Sequence, residues 1–249
     1  MSQYDNMPMC QWSKLLRHSE RSEESTESRS AIIGRFFAML RMTLFLFICI
    51  QLAGCTNTKA KEVKCEAKEE VVDKSMKLLL AKAEEAEAYC KEHKMNTEVC
   101  FLIDMSIHSG KHRLFVWDFK KQEILFSGLC CHGVGGKSTQ KKPEFSNVSG
   151  SNCTSIGKYK LGIRSYSNWG INIHYKMHGL EETNDNAYKR IVVFHSHTPV
   201  PEREIYPIHL PLGWSQGCPV VSNNTMRQVD ELLQKIGTKE PALMWIYVK

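Results

Sequence analysis

From Phe101 onward the chain is a succession of short runs of apolar, β-branched and aromatic residues cut by turn residues, a pattern that excludes a helical bundle over most of its length. Phe101-Leu102-Ile103-Asp104-Met105-Ser106-Ile107 leads into the turn His108-Ser109-Gly110-Lys111. Leu114-Phe115-Val116-Trp117-Asp118-Phe119 leads into Lys120-Lys121-Gln122-Glu123, and 124–131 returns, so the three runs read as a β-meander. Gly133, Gly135 and Gly136 break it, and 137–142 is a solvated basic loop. Further strands are expected at 159–163, 171–175, 191–194 and 242–248. Ser222 or Asn223 can N-cap a helix carrying Met226, Val229, Leu232, Leu233 and Ile236, which Gly237 stops. The fold class is therefore mainly β with flanking helices.

Ahead of this domain, 65–94 is a helix by composition: Glu, Lys, Ala and Leu dominate, and Gly and Pro are absent. Val72, Met76, Leu79, Leu80, Ala83 and Ala86 recur at three- and four-residue steps, and Tyr89 and Cys90 extend the stripe. The stripe is short, which favours a helix docked on its own domain over a coiled coil. The preceding 56–64 is polar and Lys-rich and reads as a tether. The resulting division is a leader at 1–54, a tether and helix at 55–98, and the main domain at 99–249.

The chemistry concentrates between Gly213 and Ser222. In Leu212-Gly213-Trp214-Ser215-Gln216-Gly217-Cys218-Pro219-Val220-Val221, a thiol sits between a glycine that allows close backbone approach and a proline that fixes the chain beyond it. A thiol is mostly protonated at neutral pH, so it needs a nearby base to act as a nucleophile. Ile191-Val192-Val193-Phe194 reads as a buried strand ending at His195-Ser196-His197, which delivers such a base. The alternative for Cys218 is a small packed residue or half of a disulfide.

Ser-x-Gly-Cys preceded by a strand ending in His resembles the L,D-transpeptidase (YkuD-type) family, in particular its murein L,D-transpeptidase catalytic-domain branch. Other segments are similar to that branch in the same order: Arg113 to Asp118, His132-Gly133-Val134-Gly135, Phe145-Ser146-Asn147, Gly150-Ser151, Ser155-Ile156-Gly157-Lys158-Tyr159, His178-Gly179-Leu180-Glu181, and Asn184-Asp185-Asn186-Ala187 before Arg190. The resemblance covers 101–249 and implies a β-sandwich-like catalytic domain. It implies that Cys218 attacks the carbonyl between the third residue of a peptidoglycan stem tetrapeptide, usually a diamino acid, and a terminal D-alanine. A second amine then resolves the thioester into a cross-link, or water hydrolyses it. His195 is the implied base, a main-chain carbonyl near Ser196 its orienter, and the amides of Gly217 and Cys218 the oxyanion hole. Ser215 shapes the turn. Arg190 is the candidate for a substrate carboxylate, and His197, Trp214 and His132 are candidates for the cleft wall, whereas Trp169 reads as core packing. This chain departs from the family in having Gln216 where much of it has His, Ser196 where the branch has Gly, and a long loop containing Pro199, Pro201, Pro207 and Pro211. No cofactor is implied. A zinc peptidase is a rival, since His174, His178, His195, His197 and His209 supply imidazoles, yet no HExxH or CxxC spacing occurs. A degenerate, non-catalytic wall-binding lipoprotein is another.

Arg35 and Arg41 precede the apolar run Thr43-Leu44-Phe45-Leu46-Phe47-Ile48-Cys49-Ile50-Gln51, which is too short to span a bilayer comfortably. Leu52-Ala53-Gly54-Cys55 after it resembles a bacterial lipoprotein box, implying cleavage before Cys55 and lipidation there. Thr56-Asn57 lacks the aspartate that resembles an inner-membrane retention signal, which points to the outer membrane. The polar, low-complexity 1–38 suggests a true start at Met39 or Met42. An exported chain could pair some of Cys65, Cys90, Cys100, Cys130, Cys131 and Cys153 as disulfides. The net charge of +6 is diffuse and no nucleic-acid motif accompanies it, so the expected partners are peptidoglycan and, through Cys55, a membrane.

Overall fold

A computed structural model describes residues 58–237 and 239–249, with side chains from Ser75. The chain divides into two units, Met1–Lys68 and Glu69–Lys249, of which the second carries everything below apart from the start of its leading helix. The leader, the lipoprotein box, Cys55 and the start-site expectation lie outside the described residues.

Helix α1 spans Thr58–Glu92, so the stretch from Thr58 expected to be a tether is helical; with no Gly or Pro in it, nothing stops the helix there. Leu79, Ala83, Ala86 and Cys90 are buried, while Met76 and Leu80 are 43% and 40% exposed, so the apolar stripe is narrower than the spacing suggested. It packs on Cys100, Leu102, Trp117, Leu243, Trp245 and Tyr247 of the sheet.

The strands are β1 (Val99–Asp104), β2 (Leu114–Asp118), β3 (Glu123–Gly128), β4 (Gly157–Tyr166), β5 (Ile173–Gly179), β6 (Val193–Ser196), β7 (Val220–Val221) and β8 (Leu243–Tyr247). They form one sheet in the order β3-β2-β1-β8-β4-β5-β6-β7. Pairing is antiparallel except for β1 with β8 and β6 with β7. Flat, four strand spacings of about 4.8 Å would separate β1 from β6. Yet Phe101 on β1 and Phe194 on β6 meet edge to face with ring centroids 6.2 Å apart. The sheet therefore folds over on itself, and a bridge between Cys131, just past β3, and Val220 on β7 ties its two ends together. The mainly-β, sandwich-like arrangement with two flanking helices is the class the sequence implied.

The second helix, α2 (Asn223–Ile236), fills the folded face with Met226, Val229 and Leu233. The Ser222 side chain caps it by accepting from the Thr225 amide, and Gly237, at φ 75°, closes it by donating to the Leu233 carbonyl. Asp230 on α2 receives the Arg164 guanidinium at 2.7 and 3.0 Å and the Tyr175 hydroxyl at 2.7 Å, pinning the helix to β4 and β5.

Cys90, Cys100, Cys130, Cys131 and Cys153 are free and buried, so the expected disulfide framework is not formed among the described residues. Burial pushes the Cys90 and Cys131 thiols up to about 12 and Cys130 up to about 11, which leaves them chemically quiet.

Candidate active site

Cys218 stands at the end of a turn that its neighbours lock. The Ser215 hydroxyl donates to the Cys218 carbonyl at 2.6 Å and accepts the Gly217 amide at 3.0 Å. Gly217 adopts φ +113°, and a Cβ there would lie 2.7 Å from the Cys153 carbonyl oxygen, so conformation and space both require glycine. The Gly217 amide is thereby consumed inside the turn, which removes one of the two donors expected for an oxyanion hole and leaves the Cys218 amide. The Cys218 sulfur accepts the Val193 amide at 3.4 Å. Burial raises its pKa, against the pull of that amide and of the Arg190 charge.

His195 comes from the adjacent strand, where it is paired with Val220, two residues beyond the cysteine. Its Nδ1 lies 2.9 Å from the Ser196 carbonyl oxygen. A carbonyl only accepts, so Nδ1 carries the proton and Nε2 keeps its lone pair. Burial holds the imidazole below its usual pKa, with the His174 and His197 rings adding to the effect, so His195 is neutral near pH 7. At rest both groups are neutral, one a thiol and the other an imidazole.

Ser196 has a structural reason to replace glycine. Its hydroxyl accepts the Ile171 amide at 3.1 Å, and a Cβ on Gly170 (φ +59°) would collide with its hydroxyl and carbonyl oxygens. The 167–172 loop thus clamps the carbonyl that orients His195.

Cys218 and His195 open on one cleft of about 360 Å³, lined also by Ser167, Trp169, Ile191, Val193, His197, Gly213, Trp214, Ser215 and Gln216. The His197 ring stands edge-on to Trp169 and Trp214, with centroids 5.3 and 6.0 Å away. His195 and His197 are two residues apart, so both face the cleft. Trp169 is 57% exposed on its wall rather than packed in the core; its flanking Ser167, Asn168 and Gly170 were the signal that it tops a loop.

Two expected contacts are placed elsewhere. The Arg190 guanidinium donates to the Ser146 and Cys153 carbonyls and to the Ser151 and Ser155 hydroxyls, so it braces the wall behind Gly217 instead of waiting for a carboxylate. His132 is buried away from the cleft lining, its Nδ1 accepting from the Arg113 guanidinium at 3.0 Å and its Nε2 donating to the Thr139 carbonyl at 2.8 Å. Burial and the Arg113 charge push it down to about 4. Among the described residues no three His, Cys, Asp or Glu side chains gather as a metal site. No helix there is long and apolar enough to cross a membrane.

A thiol in a glycine turn and a carbonyl-oriented imidazole thus share one cleft at the edge of a folded β-sheet, the kind of groups that nucleophilic acyl transfer requires. Residues 69–241 match the L,D-transpeptidase catalytic domain model, YkuD_2, and the chain belongs to that family. Comparison with curated proteins gives no match. Among solved structures the chain is similar to the helical cell shape determining protein Pgp2 from Campylobacter jejuni, at 14% identity and a TM-score of 0.40, over 61% of this chain and 48% of that one. It is similar also to the L,D-transpeptidase from Xylanimonas cellulosilytica, at 12% identity and a TM-score of 0.32, over 60% of each chain. The chain thus spans about half the length of the Pgp2 structure.

Proposed function

We propose that the protein is a cysteine transpeptidase acting on peptidoglycan stem tetrapeptides. The observation that carries this is the shared cleft of Cys218 and His195, with Nδ1 of the histidine committed to the Ser196 carbonyl. His195 Nε2 takes the thiol proton as the sulfur bonds to the carbonyl carbon before the terminal D-alanine. The oxyanion meets the Cys218 amide, a donor worth roughly 3 kcal/mol in such sites. The C–N bond breaks as His195 returns its proton to the departing D-alanine amine, leaving a thioester. An incoming amine, or water, gives a proton to His195 and attacks; the C–S bond breaks and the thiol is restored. Incubation with a defined tetrapeptide muropeptide should release D-alanine and add the acyl mass to a peptide containing Cys218. D-alanine release with the sulfur unmodified at every time point would reject the thioester route.

We infer that the protein acts at the cell envelope, on an outer-membrane lipid anchor at Cys55, a reading supported by the lipoprotein box Leu52-Ala53-Gly54-Cys55. Cys55→Ala should release the protein from the membrane fraction or block its processing. Fractionation identical to that of the unaltered chain would reject the anchor.

A further inference from the structure

Strand β5 carries a row of groups that the acyl-transfer chemistry does not use. Tyr175 and Met177 are buried in the core, so His174, Lys176 and His178 project from the opposite face. That face is continuous with the cleft wall: His174 is paired with His195 and Lys176 with Val193, both of which line the cleft, and the Val193 amide holds the Cys218 sulfur. On the other side Lys160 of β4 is paired with His178. The Tyr188 ring stacks on His178 at 4.8 Å and lies 5.6 Å from the Lys176 ammonium. Ile191, 77% exposed, joins this ledge to the cleft. Among the described residues neither Lys160 nor Lys176 has a carboxylate partner, whereas Lys158, two residues along β4, is neutralised by Glu181 at 2.9 Å.

Two unneutralised ammonium groups beside a flat aromatic ring, leading to the nucleophile, complement an extended chain bearing carboxylates. We propose that this ledge is the subsite for the free carboxylates of the peptide substrate, with Lys176 and Lys160 meeting them while the peptide lies across Tyr188 and Ile191. The proposal rests on the acyl-transfer reading above and names the chemistry by which that site selects its substrate.

The test is equilibrium binding of a soluble tetrapeptide muropeptide, and of the same molecule with its carboxylates amidated, to the full chain carrying Cys218→Ala so that no turnover occurs. At low salt the free acid should bind about 10-fold more tightly than the amide, and added salt should erase the difference. Adding Lys160→Gln and Lys176→Gln should cost the acid about that factor and leave the amide unchanged; Lys160→Arg with Lys176→Arg should retain the preference. In a second chain that retains Cys218, iodoacetamide should alkylate that thiol at the unaltered rate when the two glutamines are present, showing an intact thiol site. Equal binding of acid and amide, or an undiminished preference in the double glutamine variant, would overturn the subsite. Failure of the acyl-transfer reading looks different: no acyl-enzyme in the unaltered chain, with the acid preference still present.

Discussion

Cys218→Ser should abolish acyl-enzyme formation, measured by intact mass after exposure to a carbapenem or a muropeptide. The change removes no volume of consequence and keeps a polar atom that can accept the Val193 amide, so the turn built by Ser215 and Gly217 should survive it. What is lost is the polarisable nucleophile. A hydroxyl needs a stronger base and a fuller oxyanion hole than this site holds, since the Gly217 amide is spent on Ser215. A serine variant acylated at a rate near that of the unaltered chain would remove Cys218 from the mechanism.

His195→Ala should slow acylation by roughly 10²-fold or more, the usual scale for a lost general base. His197→Ala should slow it by about 10-fold at most, because that ring packs against Trp169 and Trp214 and its effect should fall on substrate binding. The pH profile separates the two. Burial holds His195 below its ordinary 6.5, so the neutral base persists at pH 6.5 and acylation should fall only as the medium drops through that lowered value. His195→Ala should lose this acid limb, whereas His197→Ala should keep it. Full acylation in the first variant and loss in the second would exchange the two roles.

The parts of this molecule that depend on neighbouring residues were readable in the chain. The β1–β3 meander and α2, with its Ser222 cap and Gly237 stop, follow from local turn and capping chemistry. Cys218 and His195 stood out because a glycine turn and a strand-end histidine leave marks in the sequence. Long-range pairing leaves none: β7 is two residues long, and β8 inserts between β1 and β4 from the far end of the chain. Hydrogen-bond assignments were equally hidden. Arg190 reads as a free cation until Ser146, Ser151, Cys153 and Ser155 are folded around it. Nothing in Gly217 itself shows that its amide serves Ser215.

The Cys131–Val220 bridge bears on which wall of the cleft can move. The Cys131 amide donates to the Val220 carbonyl at 2.8 Å, and Val220 is also held by His195 of β6. The Cys218 turn is thus moored to both ends of the folded sheet and cannot swing aside without parting them. Amide hydrogens at Cys131 and in β6 should exchange with solvent only through near-global opening, while those of 167–172, which carry Trp169, should exchange by local fluctuation. The Trp169 side of the cleft is then the wall expected to yield, while the Cys218 sulfur keeps its place.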